Sequence, residues 1–368
     1  MSLNQTPKSN RLHIAFFGQT NAGKSSLINA ITAQDIALVS DVSGTTTDPV
    51  YKAMELLPLG PVMMIDTAGL NDTSQLGELR RKKTIDVLNK TDIAIVVIDS
   101  SAKDLHFEKE LIQTIQGKKV TVIGILNKVD LTPVNKERQN QLSSSLGIPL
   151  IAASANTGEG IKTLKELLGK SAPTDEDKFK IVGDLIRPGD LVVLVTPIDK
   201  AAPKGRLILP QQQTIRDILE SDAIAVVCKE HELRETLTKL GTKPKMVITD
   251  SQAFLKVSAD TPKDIPMTSF SILFARHKGD LMQLVKGARA IESLKDGDKV
   301  LVSEGCTHHR QSDDIGTVKS PRWLRQITGK ELVFDYVSGV SFTESAKDYA
   351  LVIHCGACML NNKAMAHR

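Results

Sequence analysis

Cysteines, aromatic residues and long apolar runs are all scarce in this chain. Its 368 residues include four cysteines and only 4% aromatic residues, whereas a secreted disulfide-stabilised protein would contain many more cysteines. No apolar run approaches the roughly 18 residues of a membrane-spanning helix. Residues 1–10 are polar and lack the apolar core of a secretory signal. We therefore expect a cytoplasmic protein that is not inserted into a membrane.

An excess of positive charge is also absent. The formal net charge is only +4, from 47 basic and 43 acidic side chains. Proteins that bind nucleic acids usually combine a basic surface with aromatic side chains on which bases stack. The basic run Arg80-Arg81-Lys82-Lys83 lies on a predicted helix, and we interpret it as a solvated helix face. We do not expect nucleic acid to be a partner.

The length predicts two or three domains at roughly 150 residues each, and 41% hydrophobic residues suffice for their cores. A polar, charged stretch at 171–185 predicts a linker, and two prolines within Asp260–Met267 predict a second boundary. We predict an N-terminal tail, a first α/β domain, the linker and two smaller α/β domains, at residues 1–10, 11–170, 171–185, 186–264 and 265–368.

Short apolar runs alternate with stretches of helical spacing along the chain. In the first domain they predict strands at Ile14–Phe17, Val62–Ile65, Ile93–Ile98, Val120–Leu126 and Leu150–Ala153. Further strands are predicted at Leu191–Thr196, Ala223–Cys228, Met246–Thr249, Ser269–Phe274, Val300–Val302 and Leu351–Ile353. Alternation of strands and helices predicts mostly parallel sheets covered by helices, so the fold class is α/β.

A phosphate-binding motif follows the first strand. The segment from Gly18 to Ser25 matches G-x-x-x-x-G-K-[ST] between a strand and a helix, which is the context that the motif requires. Its glycines let backbone N–H groups face phosphates, Lys24 would reach the β- and γ-phosphates, and Ser25 would bind Mg²⁺. The nucleotide-binding residues predicted here are Gly18, Gln19, Thr20, Asn21, Ala22, Gly23, Lys24, Ser25 and Ser26.

Three more polar segments follow predicted strands. Asp66-Thr67-Ala68-Gly69 would supply a carboxylate near Mg²⁺ and a glycine that senses the γ-phosphate. In Asn127-Lys128-Val129-Asp130, the aspartate can accept two hydrogen bonds from guanine, which adenine cannot supply. Ser154-Ala155 can offer a backbone N–H to guanine O6. All follow the carboxyl ends of strands, where open α/β sheets bind ligands, and they predict GTP as the nucleotide.

A threonine-rich loop lies between the first two elements. A threonine of Gly44-Thr45-Thr46-Thr47-Asp48 could bind Mg²⁺ only when the γ-phosphate is present, which would make the loop a switch. We favour Thr46 for this role. An ordinary polar loop is the alternative.

The segment from about residue 11 to residue 170 resembles the translation-factor-related GTPases of tRNA modification and ribosome assembly. Leu70 stands where many small GTPases have a glutamine that orients water. Asn21 and the threonine-rich loop resemble the potassium-activated members, in which the P-loop asparagine helps to hold K⁺ against the phosphates. These residues and the resemblance imply a Mg²⁺-dependent, K⁺-stimulated GTPase whose catalytic residues are Asn21, Lys24, Thr46 and Gly69.

Three of the four cysteines lie in the last quarter of the chain. They fall in two short segments, each of which also contains a histidine. Cys306-Thr-His308 follows one predicted strand, and His354-Cys355-Gly-Ala-Cys358 follows another. If these strands are neighbours, both halves meet at one sheet edge. The residues fit either structural Cys₃His zinc or a [4Fe–4S] cluster with three thiolates and a weaker fourth ligand. The fourth cysteine, Cys228, lies in an apolar run and is predicted to be a buried small side chain.

A GTPase domain followed by a middle α/β domain and C-x-H…H-C-x-x-C resembles the [FeFe]-hydrogenase maturation GTPases of the HydF family. The resemblance covers nearly the whole chain. It implies a dimerisation domain at 186–264 and a cluster-binding domain at 265–368. It also implies a [4Fe–4S] cluster, a transient di-iron precursor of the hydrogenase active site, and, as partners, a second copy of the chain, two radical-SAM maturases and the hydrogenase apoprotein.

The resemblance implies Cys306, Cys355 and Cys358 as the cluster thiolates. The fourth ligand stays open among His308, His354 and Asp313. Family members usually continue past the H-C-x-x-C segment, so one interpretation of the end at Arg368 is a C-terminal truncation. Two alternative functions are a ribosome- or RNA-associated GTPase with a zinc module and a redox enzyme whose cluster shuttles electrons.

Overall fold

The computed structural model describes residues 6–32, 49–69, 83–172, 180–197, 207–305, 315–339, 346–357 and 359–368. The chain divides into two compact units, Met1–Asp175 and Glu176–Ala366. Both contain parallel strands and helices, so the predicted α/β class is confirmed. Within the described ranges, no helix combines the length and the apolar character needed to cross a membrane.

The first unit contains a six-stranded sheet in the order β2-β3-β1-β4-β5-β6. Only β2 is antiparallel to its neighbour. The strands are β1 Leu12–Phe17, β2 Val50–Leu56, β3 Gly60–Asp66, β4 Ile93–Asp99, β5 Thr121–Asn127 and β6 Leu150–Ala152. The helices with described bounds are α1 Lys24–Thr32, α2 His106–Gly117, α3 Lys136–Leu146 and α4 Ile161–Ser171.

Alternate residues of the central strands pack into two cores, one on each face of this sheet. Ile14 and Phe16 of β1 belong to the core that includes α1 and α4. Ala15 and Phe17 belong to the core on the other face, which includes α2. Burial on both faces explains why these strands are continuous apolar runs rather than alternating ones.

The second unit begins with a four-stranded parallel sheet in the order β10-β9-β7-β8. Its strands are β7 Leu191–Val195, β8 Ile224–Cys228, β9 Met246–Thr249 and β10 Met267–Ser269. Its helices are α5 Leu209–Glu220, α6 Leu233–Leu240, α7 Phe254–Asp260 and α8 Phe270–Lys278. Ile181 and Val182 belong to the core of this sheet, although the sequence placed them in a linker.

A three-stranded parallel sheet in the order β12-β11-β13 completes the second unit. Its strands are β11 Lys299–Glu304, β12 Val333–Ser338 and β13 Leu351–His354, and its helices are α9 Leu281–Ala290, α10 Ser320–Thr328 and α11 Asn362–His367. The strands that precede the two cysteine segments are neighbours, with Ser303 opposite His354. Because β11 and β13 are parallel, the chain leaves both strands at the same end of one sheet.

The predicted strand at Ser269–Phe274 is wrong. Ser269 ends β10, and its side chain accepts a hydrogen bond from Ile272 N at 3.2 Å, which makes it the N-cap of α8. Phe270, Leu273 and Phe274 are buried at helical spacing. The serine cap converts what looks like one apolar run into the end of a strand and the start of a helix.

Candidate functional site

The phosphate-binding loop joins β1 to α1. Gly18 and Gly23 have φ angles of 146° and 89°, which L residues rarely adopt. A Cβ on Gly18 would collide with Val97 O, and a Cβ on Gly23 would collide with the side-chain amide of Asn127. Asn21, at the exposed tip, also has a left-handed φ of 61°. The motif glycines are thus required by backbone conformation and by close neighbours.

Lys24 is buried under this loop. Its Nζ donates to Gly18 O at 3.1 Å and to Gln19 O at 2.8 Å. Burial lowers the pKa of Lys24 to about 8, against the opposing effect of the Asp66 carboxylate. The ammonium group is therefore held within the loop that the motif assigns to phosphates.

Ser25 and Asp66 form the second part of the site. Ser25 Oγ donates to Asp66 Oδ2 at 2.5 Å. Asp66 is buried, and its Oδ1 has no hydrogen-bond partner among the described atoms. Burial raises the pKa of Asp66, while the Ser25 hydroxyl and Lys24 act against that shift. A hydroxyl and an unpaired carboxylate oxygen are hard donors of the kind that Mg²⁺ binds, so these residues fit the predicted ion.

The segment after β3 packs directly on the phosphate-binding loop. Thr67 Oγ1 donates to Phe16 O at 2.5 Å, at the end of β1. A Cβ on Gly69 would lie 2.7 Å from Thr20 Cα and 2.8 Å from Thr20 N. Only glycine fits there, because the backbones of the two loops are in contact.

Asn127 connects three loops through its side-chain amide. Its Nδ2 donates to Ala22 O at 2.9 Å, and its Oδ1 accepts from Ala155 N at 3.2 Å. The next residue, Lys128, has a left-handed φ of 67° and forms a 2.7 Å ion pair with Asp99. The predicted guanine segment thus also fixes the phosphate-binding loop and the loop after β6.

Asp130 lies exposed beside the loop after β6. The buried Ser154 side chain hydrogen-bonds to it and lowers its pKa, and Asn156 acts in the same direction. Asp130 therefore stays ionised at neutral pH and presents an acceptor carboxylate. The structure brings the four predicted GTP segments together at the carboxyl ends of β1, β3, β5 and β6.

Sequence reasoning missed a buried carboxyl group that contacts the phosphate-binding loop. Gln19 Nε2 donates to Glu108 Oε1 at 2.8 Å, and Glu108 is only 2% exposed. Burial raises the pKa of Glu108. The signal was present, because Glu108, Ile112 and Ile115 are all buried on one face of α2, and an acidic residue on an apolar face is unusual.

Several predicted site residues lie outside the described residues. They are Gly44 to Asp48 with Thr46, the residue Leu70, and the candidate cluster ligands Cys306, His308, Asp313 and Cys358, together with Arg80, Arg81 and Lys82. Within the described ranges, no group of three or more His, Cys, Asp or Glu residues is arranged to hold a metal ion.

The described part of the cysteine segments lies where β11 and β13 end. Cys355 is exposed, its N donates to Ser303 O at 3.1 Å, and its Sγ accepts from Gly305 N at 3.1 Å. Gly305 directly precedes Cys306 in the sequence. Cys228, by contrast, is buried at the end of β8, and burial raises the pKa of its thiol, as expected for a small core side chain.

Both ring nitrogens of His354 are engaged. Nδ1 lies 2.7 Å from Cys355 O, which can only accept, and Nε2 lies 2.9 Å from Arg368 Nη1, which can only donate. The ring is therefore the neutral tautomer with its proton on Nδ1. Arg368 also donates to Gly339 O at 2.5 Å, so the last residue of the chain is tied to the end of β12.

Comparison with protein families gives three matches along the chain. The hydrogen maturase F dimerization domain matches residues 181–279, and the hydrogen maturase F tetramerization domain matches residues 282–368. A 50S ribosome-binding GTPase family matches residues 13–128, which confirms the predicted GTPase domain.

Individual relatives match up to about half of the chain. The tRNA modification GTPase MnmE of Chromobacterium violaceum is 35% identical over 173 residues, 46% of this chain and 37% of that protein. GTPase Der of Mycoplasmopsis agalactiae is 31% identical over 198 residues, 50% of this chain and 45% of that protein. The chain spans less than half the length of these curated relatives. A crystal structure of an Aquifex aeolicus Era variant bound to GDP and aluminium fluoride is similar with a TM-score of 0.41 and 18% identity, over 58% of this chain and 91% of that chain.

The two hydrogen maturase F domains together cover about half of the chain, and a GTPase domain related to MnmE and Der precedes them. The chain therefore belongs to the hydrogen maturase F (HydF) family of hydrogenase maturation GTPases.

Proposed function

We propose that the protein is a GTP-hydrolysing scaffold or carrier that binds a [4Fe–4S] cluster and assembles or delivers the di-iron precursor of the [FeFe]-hydrogenase active site. The observation that carries this proposal is the contact between Gly305 N and Cys355 Sγ. It brings the residue before Cys306 to Cys355, within a unit that matches hydrogen maturase F.

GTP hydrolysis is assigned to the first unit. The backbone and Lys24 of the phosphate-binding loop would hold the phosphates, while Ser25 and Asp66 would hold Mg²⁺ directly or through water. Mg²⁺ would neutralise charge on the β- and γ-phosphate oxygens. Asp130 would select guanine through its ionised carboxylate. Thr46 as a further Mg²⁺ ligand and Asn21 as a K⁺ ligand remain our proposals.

Cluster binding is assigned to the edge where β11 and β13 end. The thiolates of Cys306, Cys355 and Cys358 would hold three iron atoms. Cys355 fits this role because the residue is exposed and its thiol already accepts a backbone N–H, the kind of bond that tunes the potential of such clusters. Among the candidate fourth ligands, His354 could bind iron only after its hydrogen bond to Arg368 breaks.

The partners follow from the family rather than from any contact in this chain. We propose that the protein acts as a homodimer through the region that matches the dimerization domain. The two radical-SAM maturases would load it, and the hydrogenase apoprotein would receive the precursor.

Anaerobic purification followed by two measurements tests the proposal. We expect roughly four iron atoms per chain. We also expect that protein loaded by the two maturases activates an inactive hydrogenase apoprotein, and that Cys355→Ser protein does not. Stoichiometric zinc without iron would reject the cluster and favour the RNA-associated zinc alternative. Iron without activation of the apoprotein would favour the redox alternative.

A further inference from the structure

Lys278, the last residue of α8, is a buried lysine whose ammonium group contacts the loop after β13. Only 4% of the residue is exposed. Its Nζ donates to Ala357 O at 2.9 Å and to Leu360 O at 2.6 Å, and it lies 5.6 Å from the centroid of the Phe274 ring. Burial of an ammonium group is costly unless acceptors replace the lost water. Two carbonyl oxygens and an aromatic face supply that replacement here.

The lysine and its acceptors belong to different regions of the second unit. Phe270, Leu273 and Phe274 of α8 pack in the core of the four-stranded sheet, within the dimerization-domain match at 181–279. The acceptors Ala357 and Leu360 lie within the tetramerization-domain match at 282–368. Lys278 therefore fastens the loop that contains Cys355 to the other region.

The same loop packs on α8 at a second point. A Cβ on Gly356 would lie 3.2 Å from both Ser271 Cα and Ser271 O, so the loop backbone rests on the first turn of the helix. Ala357 has a left-handed φ of 54°, which an alanine rarely adopts, and its carbonyl also accepts from Leu360 N at 3.0 Å. The loop thus has an unfavourable backbone conformation that its contacts with α8 must maintain.

We propose that Lys278 is a positioning residue for the cluster proposed above: it fixes the Cys355 loop on α8 and supplies a buried positive charge to that loop. This inference rests on the proposed cluster binding. A [4Fe–4S] cluster with three thiolates is anionic and becomes more negative when it is reduced. A cation close to a cluster stabilises the more negative state. Because Lys278 binds the loop that contains Cys355, we expect it to raise the reduction potential of the bound cluster.

Three variants of the full chain separate charge from hydrogen bonding. Lys278→Met removes both and keeps the length of the side chain. Lys278→Gln keeps a donor without the charge, and Lys278→Arg keeps the charge. Lys243→Met is the matched control, because Lys243 belongs to the same unit, is more than half exposed and pairs with Asp264 on the surface.

Hydrogen exchange in cluster-free protein tests the contact with the loop. The amide of Leu360 donates to Ala357 O. It should exchange at least about tenfold faster in Lys278→Met than in wild type, because the loop that contains this acceptor has lost its hydrogen bonds to Lys278. Lys278→Arg and the Lys243 control should exchange like wild type. Equal protection in Lys278→Met and wild type would overturn the anchoring role.

The reduction potential of reconstituted protein, followed by EPR, tests the charge. Lys278→Met and Lys278→Gln should shift the potential to more negative values, whereas Lys278→Arg and Lys243→Met should not. An unshifted potential in both neutral variants would overturn the role beside the cluster, even if exchange has changed. If Lys278→Met does not fold, the difference in reduction potential between Lys278→Gln and Lys278→Arg tests the role of the charge. Failure of wild type to bind iron would instead reject the proposed function, and the exchange comparison would still test the anchor.

Discussion

At the residue scale, Lys24 is the side chain on which we expect nucleotide chemistry to depend most directly. Its Nζ is buried and held by two carbonyl oxygens of the loop that would cradle phosphates. We expect Lys24→Ala to lower GTP turnover by roughly 100-fold or more, because it removes the main side-chain charge on the phosphates. Phosphate release measures this, with the exposed Lys103→Ala as control. Turnover at the wild-type rate would contradict the assignment of the loop.

Asp130 is the residue that we expect to select the base. Asp130→Asn replaces an ionised acceptor with an amide, so guanine should lose a pair of charge-assisted hydrogen bonds. We expect GTP affinity to fall by roughly 10- to 100-fold. Xanthosine triphosphate, which has an acceptor in place of the guanine amine, should bind the variant better than it binds wild type. An unchanged preference for GTP over both ATP and xanthosine triphosphate would reject the role of Asp130.

We expect His13 to make the stability of the first unit dependent on pH. Burial lowers its pKa from 6.5 to about 4, against a hydrogen bond to Arg11 O. Well above pH 6.5 the ring is neutral in both the folded and the unfolded state, so it adds no pH dependence to the free energy of unfolding. As the pH falls from 6.5 to 4, the unfolded state binds the proton first, so the free energy of unfolding should drop by roughly 3 kcal/mol.

Denaturant unfolding between these pH values measures the drop. His13→Gln should lose most of this pH dependence, whereas a change at the exposed His106 should leave it intact. The same slope in His13→Gln and wild type would show that other groups are responsible.

At the element scale, the phosphate-binding loop carries a prediction about monovalent cations. Asn21 is exposed at its tip in a left-handed conformation, which asparagine tolerates better than most residues. GTP turnover should be faster in K⁺ than in Na⁺, because the smaller ion should not span the same oxygens. Asn21→Ala should lose most of the difference. Steady-state turnover in matched chloride salts checks this, and equal rates in wild type would remove K⁺ from the proposal.

Elements buried on both faces were predictable from the sequence, and half-exposed ones were not. The runs at Ile14–Phe17 and Ile93–Ile98 are strands because every residue is buried. The strands β2 and β12 were not predicted, since most of their residues are exposed or half-exposed. Ser269–Phe274 was assigned to a strand because an apolar run that short has no visible period, and only the cap at Ser269 decides it.

The sequence predicted which segments the structure brings together in the candidate nucleotide site, because their residues lie in short segments with fixed spacing after strands. Contacts between segments that are distant in the sequence were harder to predict from it. Glu108 meets Gln19 across 89 positions of sequence, and Lys278 meets Ala357 across 79. Each depends on how separate elements pack, which no local pattern encodes.

At the scale of the whole molecule, the two proposed chemistries lie in different units. Every described GTP-site residue precedes Asp175, and Cys355 lies in the second unit. Cys355→Ser should therefore largely abolish iron retention after reconstitution and leave basal GTP turnover at the wild-type rate. Cys228→Ser is the matched control for iron. A full cluster in Cys355→Ser would refute the ligand set, and a parallel loss of GTP turnover would contradict the separation.

The hydrogen bonds of the Asn127 amide also have a consequence for deamidation of the protein over time. Its NH₂ group donates to Ala22 O and its carbonyl oxygen accepts from Ala155 N, so this position needs both a donor and an acceptor. Deamidation to aspartate would replace the donor with a charged acceptor facing a carbonyl oxygen. The residue is 1% exposed, which keeps water and base away from it in the folded state. Damage at this position should accumulate only in molecules that have transiently unfolded, and those molecules should then refold without a usable nucleotide site.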